Sequence, residues 1–150
     1  MTVQVRRVHE TDEAAWSRLY AGYRAFYKLD DYPEAVRTTW EWLSTAQHGF
    51  IGLVATVDDE LVGLAHLRRF ARPSTASMGL YLDDLFTAPA ARGAGVATAL
   101  LNRASEIAAA EGASVVRWIT AADNAAARRV YDRVAAATPW VTYDMKPATS

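Results

Sequence analysis

The chain has 150 residues, about half of them apolar, a formal charge of −1 and no cysteine. That length suffices for one domain, 1–150, with a hydrophobic core of its own. The near-neutral charge gives no electrostatic reason to expect nucleic acid or an anionic membrane as partner, and the missing cysteines exclude disulfides, thiolate nucleophiles and Cys-ligated metals. "MTVQVRRVHE" lacks the apolar run of a signal peptide and no stretch approaches membrane-spanning length, so a cytoplasmic protein is expected.

Residues 3–8 suggest a first strand. Trp16, Leu19, Tyr20, Tyr23, Phe26 and Tyr27 then recur at three- and four-residue spacing, which predicts an amphipathic helix from about residue 12, capped by Thr11 or Asp12. "DDYPE" interrupts it, and Pro33 suits the first turn of a second helix bearing Val36, Trp40 and Leu43. "FIGLVATV" and "LVGLAHLRRF", separated by "DDE", read as an antiparallel hairpin, and "ASMGLYLDDLFT" as the next strand. A helix over 92–112 follows, closed by Gly112. A buried-type strand over 114–120, a helix over 124–137 and a last strand over 140–145 complete the chain. The order β-α-α-β-β-β-α-β-α-β predicts an α/β fold with a mixed sheet, antiparallel early and carrying a parallel βαβ unit late.

Chemistry concentrates in "LDDLFTAPAARGAGVATALL". A strand, a proline turn and a Gly-rich loop lead directly into a helix, so backbone N–H groups and the positive end of the helix dipole converge on an anion site. Gly-Lys-Ser/Thr is absent, and the third glycine of a dinucleotide fingerprint is replaced by Thr98. From these residues alone the loop is either a diphosphate cradle or a tight strand-to-helix turn. Asp83 and Asp84 precede it. Alternation along a strand points them to opposite faces, unless a bulge re-aims one. His9, His48 and His66 stand singly, without ligand spacing, and read as structural or surface residues; no metal is expected.

"FTAPAARGAGVATALL" resembles the coenzyme A-binding motif of the GNAT (N-acetyltransferase) superfamily, with Arg92, Gly95 and Ala97 at the motif positions. "DNAAARRVYDRV" resembles the family's Asn-x-x-Ala-x-x-x-Tyr helix, with Asn124, Ala127 and Tyr131, and "YLDDLFT" resembles the acidic strand of diamine N-acetyltransferases. "WSRLYAGYRAFY" is similar to a yeast-type group of histone, polyamine and D-amino-acid acetyltransferases.

The resemblance implies a central mixed sheet splayed between its fourth and fifth strands, and direct transfer of an acetyl group from acetyl-CoA to a primary amine. It places the pantetheine arm along Leu85, Phe86 and Thr87, and the pyrophosphate on Gly93, Ala94, Gly95, Val96, Ala97 and Thr98 beside Arg92. Asn124 and Ala127 would flank the pantetheine. Asp83 would be the base and Tyr131 the acid for the leaving thiolate. Asp84, Tyr23 and Tyr27 are candidates for the acceptor side, with Asp30, Asp31 and Glu34 as a negative rim attractive to a polyamine, an amino acid or a lysine side chain. Arg68, Arg69 and Arg72 would either pair with a substrate carboxylate or be surface charge. The alternative is an acyl-CoA sensor that binds without turnover. "AAATPW" replaces the family's "GF" after Tyr131, so the last strands are expected to pair differently, with strand exchange in a homodimer as one outcome.

Overall fold

The computed structural model describes residues 2–149. The elements are β1 (Gln4–Arg7), α1 (Glu13–Phe26), α2 (Pro33–Ser44), β2 (Phe50–Val57), β3 (Glu60–Arg72), β4 (Ser77–Thr87), α3 (Val96–Glu111), β5 (Val116–Arg117) and α4 (Ala125–Val134). One five-stranded sheet runs in the order β1-β2-β3-β4-β5. Its first four strands are antiparallel neighbours and β5 is parallel to β4. The expected acidic hairpin closes β2 onto β3 through Asp58 and Asp59, both at positive φ. That conformation matches the right-handed twist of the flanking strands.

Side-chain alternation sorts the core into two layers. Ile51, Leu53, Ala55, Ala65, Leu67, Leu80 and Leu82 face α3, where they meet Val96, Leu100, Leu101 and Ala104. Val54, Leu64 and Phe86 face α1 and α2, where they meet Trp16, Leu19, Tyr20, Trp40 and Leu43. Leu80 and Leu82 therefore lie on one face, yet Phe86, also at an even position, lies on the other. A regular strand cannot do this. The register jumps where Leu67 opposes Leu82 and His66 opposes Asp84, leaving Asp83 as an extra residue in a β-bulge.

Several sequence-based boundaries move, each for a physical reason. The third helix begins at Val96 rather than at 92, because Gly93 and Gly95 adopt φ of +85° and +81°. Neither has an atom within 4 Å of where a Cβ would lie, so it is backbone angle, and not crowding, that demands glycine there. Asp12 precedes α1 without a side-chain cap; its carboxylate is taken by Arg6 and by the His9 amide. The fourth helix stops at Val134, where Ala135 turns extended.

The fifth strand shrinks from the expected 114–120 to two residues, paired only at Leu80–Val116 and Tyr81–Arg117. Beyond Tyr81 the β5-facing edge of β4 is open, and the sheet is splayed between its fourth and fifth strands as expected.

The last strand, expected over 140–145, does not form: the segment has no ladder partner among the described residues. Trp140, Val141, Tyr143 and Met145 are instead 75% or more exposed. Alternation encodes a face to bury but supplies no neighbouring strand to pair with. Among the described residues, no helix is long and apolar enough to cross a membrane.

Candidate active site

The bulge turns both acids toward α1 and α2. Asp83 and Asp84 line one cavity of about 260 Å³ together with Tyr20, Thr39, Trp42, Leu43, Phe50 and His66. The two carboxylates meet different partners. Asp83 accepts from Arg68 Nε at 2.9 Å, and the Arg68 guanidinium also lies over the Tyr81 ring. Asp84 Oδ2 sits 2.7 Å from His66 Nδ1 and accepts from the Tyr20 hydroxyl at 3.2 Å.

Their acidities diverge accordingly. Burial raises the Asp83 carboxyl above its ordinary value, against the pull of Arg68. Burial pushes Asp84 the same way, but the pull of His66, through its hydrogen bond and electrostatically, outweighs it together with hydrogen bonds from Tyr23 and Tyr20 and holds the group below the usual range. Tyr20 and Tyr23 are in turn pushed well above an ordinary phenol, by burial first and then by the Asp84 charge. One carboxylate is thus tuned to take a proton and its neighbour to stay ionised. Such divergence is what separates acid–base roles within a site.

An aromatic file leads from this pair across the mouth of the splay. Tyr20 stacks on Tyr23 with ring centroids 5.3 Å apart, and Tyr23 meets Tyr27 at 4.8 Å. Tyr131, on α4, packs edge-on against Trp118. Burial, with the neighbouring Tyr27 adding to it, raises the Tyr131 phenol above its ordinary value. It is therefore protonated at neutral pH and able to donate.

On the opposite side of β4, Gly93, Ala94 and Gly95 are exposed and lead into the first turn of α3. Amides of a first turn have no intrahelical acceptor, so Val96, Ala97 and Thr98 present theirs to the loop. Arg92 Nε donates to the Thr87 carbonyl at 3.2 Å, and its guanidinium lies over the rings of Phe26 and Phe86. Asn124 opens α4, its carbonyl accepting from the Arg128 amide, and Ala127 lies half-buried one turn on. The loop follows directly on the open edge of β4 over Leu85–Thr87.

Residues 15–136 match the model of the acetyltransferase (GNAT) family. The chain belongs to that family. As a GNAT enzyme it is an N-acetyltransferase that uses acetyl-CoA and delivers the acetyl group to an amine. It is 29% identical over 147 residues to the D-amino-acid N-acetyltransferase HPA3 of Saccharomyces cerevisiae, covering 94% of this chain and 89% of that one. It is 29% identical over 133 residues to the uncharacterized N-acetyltransferase YhfO of Bacillus subtilis, covering 87% of each. Its fold also superposes on AAC(6')-Iy, solved with the bisubstrate analog CoA-S-monomethyl-acetylneamine, with a TM-score of 0.85 and 18% identity over 99% of this chain and all of that one.

The GNAT motifs point to the loop, the acids and the Asn124–Tyr131 helix. They do not point to His66, Tyr20, Thr39, Trp42 or Phe50, which complete the cavity from four other elements. His66 is not merely a packed or surface histidine: it is 1% exposed and both ring nitrogens are engaged, one of them by a cavity acid. Its position on the Leu64 face of β3 can be read by alternation, but the bulge that brings Asp84 opposite it cannot. Of the three arginines on β3, Arg68 pairs with Asp83, Arg69 with Glu111, and Arg72 donates to Ser114.

Proposed function

We propose that Asp83 is the proton acceptor, Asp84 the fixed anion of the acceptor site and Tyr131 the proton donor in acetyl transfer from acetyl-CoA to a primary amine. The observation that carries this reading is the bulge at Asp83, which puts two carboxylates of opposite acidity on one cavity. Acetyl-CoA supplies the activated acyl group as a thioester. Gly93–Thr98 hold its diphosphate through backbone amides, with Arg92 beside them. The open edge over Leu85, Phe86 and Thr87 pairs with the pantetheine arm, which Asn124 and Ala127 flank.

The ionised Asp84 attracts the acceptor as an ammonium. An alkylammonium has a pKa of about 10, so it must lose its proton before the nitrogen can attack. Asp83 takes that proton, directly or through one water, since aspartate is short for the task. The amine nitrogen then forms the C–N bond as the C–S bond breaks, and Tyr131 gives its phenolic proton to the departing sulfur. The second proton shed by the acylated nitrogen returns through solvent to the Tyr131 phenolate, while Asp83 releases the first. With both reactants held in one cleft, this needs no covalent enzyme intermediate.

The shape of the cavity selects among amines. A second cavity of about 280 Å³, lined by Tyr32, Glu34, Ala35, Thr38, Thr39 and Trp42, shares Thr39 and Trp42 with the first. A groove therefore leads from the two aspartates to Glu34 at the acidic rim. It suits an elongated acceptor with a second cationic centre, a polyamine or a lysine side chain, passing the faces of Trp42 and Tyr32. Tyr23 and Tyr27 line neither cavity and continue the aromatic file beyond Tyr20.

The test is thiol release from acetyl-CoA with a panel of polyamines, amino acids and lysine peptides. The expected order puts polyamines and lysine peptides first. Preference for amino acids would instead assign Arg68 to a substrate carboxylate, in line with the activity named for the yeast relative. Coenzyme A binding without release across the panel would mark a sensor. The exposed apolar segment from Trp140 to Met145 further supports a homodimer in which a second copy covers it. Sedimentation should find a dimer that Trp140→Ser with Tyr143→Ser converts to monomer, and a wild-type monomer at micromolar concentration would reject it.

A further inference from the structure

His66 sits on the α1/α2 face of β3, two residues from Leu64, among Trp16, Tyr20 and Leu43. A leucine would fill such a position at less cost than a buried imidazole, which must have its polar atoms satisfied. Both are satisfied, and in a fixed sense. Trp16 Nε1 lies 3.0 Å from His66 Nε2, and an indole nitrogen can only donate. Nε2 therefore offers its lone pair, and the ring proton resides on Nδ1, 2.7 Å from Asp84 Oδ2. The Tyr20 hydroxyl converges on the same oxygen.

Rigidity accompanies this geometry. Trp16 is fully buried and packs on Tyr20 and Trp40 with ring centroids 5.0 Å and 5.1 Å away. The charged and titratable groups nearest the imidazole are Asp84 and Asp83 from β4, Arg68 from β3, and Tyr20 and Tyr23 from α1. Arg68 is already paired with Asp83. The imidazole is thus the group that orients Asp84, through the hydrogen bond at Nδ1.

We propose that Trp16 and His66 are positioning residues of the acceptor site: the indole N–H fixes His66 as its Nδ1–H tautomer, and that N–H holds the Asp84 carboxylate at the cavity wall. The inference rests on the reading of Asp84 as the anion that attracts the acceptor. Trp16 reports the occupancy of neither cavity directly; it acts through His66.

Two measurements on the full chain test this. Nitrogen-15 NMR of histidine-labelled protein should show His66 with its proton on Nδ1, and a proton on Nε2 in wild type would overturn the assignment. In steady-state kinetics, His66→Phe keeps the bulk and deletes the donor, so the acceptor KM should rise roughly tenfold to a hundredfold, the loss expected of a hydrogen bond to a charge, with the acetyl-CoA KM unchanged. His66→Asn, whose side-chain amide can reach Asp84 in place of Nδ1, should restore the acceptor KM to within about threefold. Equal acceptor KM values for the Phe and Asn variants would overturn the proposal even if one of them folds poorly. Asp84→Asn separates the two layers of the argument. If it leaves the acceptor KM unchanged, the acceptor-site reading fails and takes the inference with it. If it raises that KM while His66→Phe does not, only the positioning role fails.

Discussion

On the α1/α2 side of β4, Trp16, His66, Tyr20 and Asp84 satisfy one another inside a wall whose first member is fully buried. On the α3/α4 side, Gly93, Ala94 and Gly95 are exposed, and the groups proposed to hold the diphosphate are backbone amides at the start of a helix. The acceptor wall is built from side chains drawn from three elements, whereas the proposed diphosphate wall is built from one continuous stretch of main chain. A wall of backbone can be specified by a short run of glycines. A wall of side chains needs the whole fold to be in place before any of its members can act, and it can change specificity one residue at a time.

Substitutions that affect one wall and spare the other can break this contrast, and the largest effect should come from neither wall but from the donor between them. Tyr131→Phe should lower kcat by about a thousandfold, within the range of a lost general acid, and leave both KM values nearly unchanged. An unchanged kcat in single-turnover measurements would remove Tyr131 from the chemistry. Asp83→Asn should cost about a hundredfold in kcat/KM for the acceptor. The wild-type profile should carry an acid limb, because the base works only when deprotonated. Burial raises Asp83, so activity should be lost as pH falls through a value above the ordinary 3.8, and the Asn variant should lack that limb.

Smaller effects sharpen the comparison further. Gly95→Ala places a side chain at φ +81°, a strain of about 1–2 kcal/mol that should appear in thermal unfolding. The acetyl-CoA KM should rise about tenfold while the acceptor KM stays put, and equal changes in both would show that the walls are coupled. Glu34→Gln should weaken a long diamine by only about threefold and a short monoamine not at all, as expected for one charge at an exposed rim. Titration of both amines under the same assay decides it.

The sequence discloses these two walls unequally. The Gly-rich loop, the hairpin at Asp58–Asp59 and the Asn124–Tyr131 helix are local patterns, and each appears where periodicity and turn chemistry place it. His66 and Trp16 are fifty residues apart and meet only through tertiary packing. The meeting of His66 with Asp84 depends on a register jump that no alternation pattern shows. The segment over 140–145 fails in the opposite sense: its pattern is that of a strand, but a ladder needs a second strand and β5 ends after two residues. Local signals report what a segment is suited to, and long-range pairing decides what it becomes.

The bulge carries one more implication, for how such a site is gained or lost. Omit Asp83 alone and the alternation closes up: Leu82 still faces α3, Asp84 still opposes His66, and Leu85 and Phe86 keep their sides. The proposed base is in effect an inserted residue. A single-codon deletion should therefore yield a folded protein that retains its anion and lacks its proton acceptor, and a single-codon insertion is a route by which an ancestral binding strand could acquire catalysis.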